Sequence, residues 1–176
     1  MPRPVRQIRP DICVLIRRAA AILALSAALA AGPAHAQDRL GPDSGLPVPR
    51  FASLKFDRVN GREGPSFEHP VLWRYQRRGL PVEVIEEDLA WRKVRDPAGD
   101  VVWMHARVLE NRRTGVVAAT PVDVMRRPAA EASVAAVAVL GVLFEVKTCR
   151  DGWMRVDGAR AAGWLPEGAL WGADCD

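Results

Sequence analysis

The chain has 176 residues, and its charge is unevenly placed. Of 25 lysines and arginines, five fall in the first 36 residues, together with one of the 21 acids; the other 140 residues carry 20 of each. Such a balanced remainder offers no field to gather nucleic acid or an anionic membrane surface, and its length suits one ordinary domain or two small ones.

Residues 1–36 open with Arg3, Arg6, Arg9, Arg17 and Arg18, pass through the apolar run Ala19–Ala31, and end on Ala34-His35-Ala36. A basic start, a short apolar stretch and a small-x-small site read as a Sec-type secretory signal peptide cleaved after Ala36. The apolar run is shorter than the ~20 residues a membrane-spanning helix needs, which disfavours the alternative of an uncleaved anchor. The mature chain is then periplasmic or secreted and has no membrane span. Cys13 leaves with the signal, so Cys149 and Cys175 remain. In an oxidising compartment they are expected as one disulfide closing a loop of about 25 residues; two free buried thiols are the alternative.

Gln37–Arg50, with three prolines, two glycines and no apolar period, reads as a flexible leader. From Phe51 the chain writes one pattern twice. Val59 matches Val122, Pro65 matches Pro128, Gly79 matches Gly141, Val84 matches Val146, Trp91 matches Trp153, Trp103 matches Trp164, and Leu109 matches Leu170, with only two single-residue gaps. This is an internal duplication. It predicts domains over 51–118 and 119–176.

Each copy reads as short strands separated by turns. "PVEVIEE" alternates, "AWRKVRD" follows, "DPAGD" supplies Pro97 and Gly99 for a hairpin, and "VVWMH" returns as its partner. "HARVL" and "PEGAL" read as one-turn helices. The alanine-rich "AAEASVAAVAVLGVLF" has helical propensity, but its alignment to the first copy makes it strand. The fold class is all-β, two small barrels or sandwiches.

Chemistry-bearing groups are sparse. His69 and His105 are the only histidines after residue 36, and there is no nucleophile elbow, zinc-protease motif or phosphate-cradling loop. Cys149 with a histidine is the one nucleophile pair available, and the expected disulfide removes it. Two histidines and two cysteines, scattered, do not make a metal site. Glu86-Glu87-Asp88 reads as a charged hairpin tip rather than a catalytic carboxylate pair. No enzyme activity and no cofactor are expected.

Trp91, Trp103, Trp153 and Trp164 recur at equivalent places and are expected as structural core; Trp171 is placed to cap the second barrel. Phe67, Trp73 and Tyr75 differ. Their counterparts near Glu131, Ala135 and Ala138 are small or polar, whereas core residues should survive a duplication. Two roles remain open for them, a binding surface in the first copy or a cover between the copies.

The stretches "VNGREGPS", "PVLWRYQRRGLPVEVIEE", "WRKVRDPAGDVVWMH" and "ENRRT", with the looser "VDVMRRP", "GVLFEV", "GWMRV" and "GWLPEGALWG", resemble the bacterial SH3 domain family, specifically tandem copies in small exported proteins of Gram-negative bacteria. Two positions depart from the family pattern. Gly61 stands where an apolar residue is usual, and Val102 stands where glycine is usual; the second copy keeps that glycine as Gly163. The resemblance implies a partly open barrel per copy, without catalysis, that binds a cell-wall (peptidoglycan) peptide or an envelope protein partner. The alternative is a scaffolding role with the two barrels packed as one unit.

Overall fold

The computed structural model describes residues 39–175, an all-β body. The expected signal peptide lies outside the described residues. In chain order the strands are β1 Arg39–Leu40, β2 Pro47–Val48, β3 Arg50–Leu54, β4 Val59–Arg62, β5 Val71–Tyr75, β6 Pro81–Asp88, β7 Trp91–Arg95, β8 Val101–His105, β9 Leu109–Glu110, β10 Thr114–Val116, β11 Val122–Met125, β12 Val134–Ala138, β13 Leu143–Arg150, β14 Trp153–Gly158 and β15 Ala162–Pro166. A single 3-10 turn, Ala106–Val108, follows β8 where "HARVL" predicted a helical turn. "PEGAL" is the end of β15 and a plain turn instead.

Two sheets carry the duplication. The first runs β5-β4-β8-β7-β6-β3-β9 and the second β12-β11-β15-β14-β13-β10. Their registers repeat. Trp91 faces His105 and Lys93 faces Trp103 in the first; Trp153 faces Pro166 and Arg155 faces Trp164 in the second. Arg62 faces Trp103 as Met125 faces Trp164, and Gly61 faces Trp73 as Val124 faces Ala136. The counterpart of Trp73 is therefore Ala136, one residue beyond the sequence alignment. The long strands β6 and β13 slip register at the same place, Val84/Glu86 and Val146/Thr148, and Leu89 and Asp151 beyond them both take φ 50°.

The division between the sheets falls after Glu110, because Thr114–Val116 already pairs with β13. That is earlier than the expected boundary at 118/119. The leader is also corrected. Residues 39–48 form a small antiparallel hairpin, and Arg50 starts β3 of the first barrel. What orders this proline-rich segment is Glu87, whose side chain is fully buried. Its carboxylate accepts hydrogen bonds from the Ser44 backbone N–H (2.9 Å), the Ser44 hydroxyl (2.6 Å) and the Asp43 N–H (3.2 Å), and it pairs with Arg50 (2.8 Å) and Arg92 (3.2 Å). Gly41 passes so close that a Cβ there would fall on the carboxylate.

The first barrel interior is aliphatic, and the second is aliphatic around one phenyl ring, Phe144. Ala52, Leu54, Val59, Val82, Val84, Val94, Val102 and Met104 fill the first; Val117, Val124, Phe144, Val146, Met154, Val156 and Leu165 head the second. The tryptophans expected there are not part of either interior. Strand alternation decides it: Val102 and Met104 point inward, so Trp103 between them points out, as Trp164 does beside Leu165 and Trp153 beside Met154. Trp103, Trp153 and Trp164 are half-buried on outer faces, and Trp91 is buried from outside, beneath a loop.

Specific contacts join the barrels. Trp171 bonds its backbone to Val116 of β10 in both directions and sets its ring edge-on against Phe51 of β3, with centroids 5.2 Å apart. Thr114 donates its hydroxyl to the Gly79 carbonyl (2.7 Å), and Arg77 donates to the Gly141 carbonyl (2.6 Å). Cys149 and Cys175 are disulfide-bonded across 26 residues of sequence, tying the C-terminal segment to β13. On the loop-entropy model, reduction is expected to lower stability by about 3–4 kcal/mol. Urea unfolding with and without reductant measures it; an unchanged midpoint contradicts that role for the bridge.

Candidate binding site

The outer face of the β7–β8 hairpin carries Trp91, Lys93, Trp103 and His105 in two facing pairs. The loop 63–70, between β4 and β5, folds over the first pair. Phe67 sets its ring edge-on to Trp91 (4.9 Å) and stacks on His105 (5.6 Å, 19° between planes). Trp91 and His105 are edge-on to each other at 5.3 Å. Trp91 is thus enclosed, while Phe67 stays 57% exposed.

The loop is held in place by its own chain. Arg62 donates from Nη1 to the Phe67 carbonyl (3.0 Å) and the His69 carbonyl (2.6 Å). The Glu63 N–H donates to the Pro70 carbonyl, and Glu68 N–H donates to the Ser66 hydroxyl. Gly64 is needed because the His69 ring occupies the space a Cβ would take. A loop fixed in this way loses little freedom when something binds it.

Two guanidinium groups approach the Phe67 ring, Arg62 at 5.6 Å and Arg107 at 5.5 Å from its centroid. Burial, and the charges of Arg107 and Arg92, lower the pKa of the neighbouring His105 below the ordinary 6.5. Its Nδ1 accepts from the Arg107 backbone N–H (3.2 Å). A little further along the face, Lys93 lies over Trp103 at 5.7 Å, paired with Glu86 at 3.1 Å. The patch is aromatic with a cationic rim, the arrangement that holds an apolar group beside a negative one.

The three aromatics singled out by sequence do not converge. Phe67 is the centre of the cluster. Trp73, 52% exposed with neighbouring Leu72, stands on the edge strand β5, and among the described residues it shares no ring contact with Phe67. Tyr75 packs against the first core and donates its hydroxyl to Asp96 (3.0 Å), inside the turn that joins β7 to β8. Burial, then the Asp96 charge, pushes that phenol well above its ordinary pKa. Tyr75 is a tether for the edge strand. Sequence missed Trp91, His105, Arg62 and Arg107 as members of the site. The signal was there in the repeat: the registers put Pro166 where His105 stands and Met125 where Arg62 stands.

Paired sheets of antiparallel strands with matching register slips, each wrapped around an apolar centre with a long loop between its β4-type and β5-type strands, define tandem small barrels of the SH3 type. The family model described as "Bacterial SH3 domain" matches residues 55–111 and again 118–172, and the chain belongs to that family. No curated protein matches it. Among solved structures it is similar to NlpC2 from Trichomonas vaginalis at 13% identity and TM-score 0.32, over 70% of this chain and 48% of that one. NlpC1 from the same organism gives 14% identity and TM-score 0.32, over 74% and 48%. The chain spans about half the length of those proteins.

Proposed function

We propose that this protein is a non-catalytic binding module of the bacterial cell envelope, periplasmic or secreted. It holds an extended cell-wall (peptidoglycan) peptide, or an envelope protein partner, on the Phe67 face of the first barrel. One observation carries this reading: Phe67 is an exposed ring on a pre-ordered loop, seated on buried Trp91 and flanked by two guanidiniums. Had Phe67, Trp73 and Tyr75 been buried against the second barrel, they would have been packing residues; that contact is made instead by Phe51 and Trp171. SH3-type barrels take extended peptides on aromatic surfaces beside this loop. The second barrel has alanine for Trp73 and Tyr75 at the facing positions, so it supports the first and binds less. Cys149, bonded to Cys175, offers no thiolate to pair with a histidine.

A scaffolding role draws on a different observation, the contacts that lock the barrels together. Sedimentation with purified cell walls separates the two. Phe67→Ala is expected to cut the sedimenting fraction about tenfold while lowering the thermal midpoint by only a few degrees, the effect of uncovering Trp91. If Phe67→Ala and Trp73→Ala both sediment like the parent chain, or the parent does not sediment, the cell-wall reading falls and scaffolding stands.

A further inference from the structure

We propose that the Phe67 patch recognises a free carboxylate on its peptide, with Arg107 as the group that binds it and Arg62 as the residue that positions the loop. This rests on the reading of the first barrel as a peptide binder and adds the chemistry of the bound peptide. Arg62 spends Nη1 on two loop carbonyls, so its main task is to hold Phe67 in place. Arg107 is different. It is the exposed residue of the 3-10 turn after β8, and among the described residues its guanidinium forms no ion pair; it lies over the Phe67 ring, near His105. Glu63 and Glu68 belong to the facing loop, yet neither pairs with it among the described residues. On the same sheet, Lys93 and Arg95 are each satisfied by an acid, Glu86 at 3.1 Å and Glu83 at 2.6 Å.

A guanidinium parked beside an exposed aromatic ring, with no acid of its own, presents two parallel donors to a planar anion. The ring next to it covers the alkyl part of the same residue. Burial and the two neighbouring guanidiniums disfavour a competing positive charge on His105. The balanced charge of the chain after residue 36 disfavours a polyanion, so the partner is an acidic peptide with a single carboxylate at the contact rather than nucleic acid. The second barrel cannot do the same, since Pro166 takes the place of His105 and Gly168 lies where the repeat puts Arg107.

The test uses the full exported chain and one synthetic peptide, Ala-Glu-Lys-Ala in the linkages of a wall stem peptide, with its carboxylates either free or amidated. Calorimetric titration of the parent should show the free form binding about tenfold more tightly, the size of one charge-assisted pair. Arg107→Gln should erase that preference without moving the thermal midpoint. Phe67→Ala should weaken both forms alike. Equal affinity for the two forms, or a preference that survives Arg107→Gln, overturns the proposal. So does failure of both forms to bind; if cell-wall sedimentation then persists and still depends on Phe67, the binding-module reading stands without its carboxylate.

Discussion

Glu87→Gln is expected to cost about 3–5 kcal/mol, the range for breaking a buried ion pair from one side. Glutamine keeps the shape of glutamate but none of its charge. Arg50 and Arg92 would then face each other across a buried neutral group, with side chains only 17% and 9% exposed and no other acid bonded to them among the described residues. The backbone N–H groups of Asp43 and Ser44 would lose an ionic acceptor at the same time. Because those bonds are what fasten the 39–48 hairpin to the barrel, the loss should be local first. Amide exchange at Asp43, Ser44 and Leu46 should accelerate before the barrel core does. A variant as stable as the parent, with the hairpin still protected, would show that the hairpin holds by other means.

The same carboxylate sets an acid limit. Burial works to raise its pKa, but the hydrogen bonds from Ser44, Arg50 and Asp43 outweigh it and bring the value from 4.5 down to about 2. A depressed folded-state pKa means the stabilisation is complete above about pH 4.5 and is lost as pH falls toward 2. Stability of the parent should therefore decline through that window, and the decline should be shallower in Glu87→Gln.

Much of this fold could be read from the chain, for a physical reason. Glycine turns, register slips and strand alternation are local, so a duplication preserves them: Gly79 and Gly141 both take positive φ, and the two long strands slip at the same position. Contacts between distant polar groups leave no such trace. Nothing near Ser44 announces a carboxylate 43 residues away, so a proline-rich hairpin looked like a leader. The tryptophans misled through size. Large aromatics usually fill cores, but the parity of Trp103 with His105, against Val102 and Met104, already put it outside. The site was half legible. The loss of Phe67 and Trp73 in the second copy flagged the region, while Arg107 and Arg62 could be tied to Phe67 only once the loop was seen to fold back over β8.

The two departures from the family pattern turn out to be one. In the first barrel a Cβ on Gly61 would meet Val102 Cγ2 at 2.7 Å; in the second, a Cβ on Gly163 would meet Val124 Cγ1 at 2.6 Å. Gly61 corresponds to Val124, and Val102 to Gly163, by the strand registers. Each barrel thus places one valine and one glycine across the same gap, with the partners exchanged. The space is conserved and its owner is not. Gly61→Val alone should destabilise by about 2–3 kcal/mol, because two valine side chains would compete for one volume in a close-packed interior. Val102→Gly alone should cost about 2–4 kcal/mol, from a cavity among residues that are fully buried. Together they recreate the valine–glycine exchange of the second barrel, although Tyr75, whose ring a Cβ at Gly61 would meet at 3.0 Å, stands where that barrel has Ala138. The double variant should recover part of the loss, the Tyr75 ring still crowding position 61, and should leave a coupling of about 1–2 kcal/mol in a double-mutant cycle read by urea unfolding. Additive losses would mean that the gap between β4 and β8 is not shared in this way, and that the two departures arose separately.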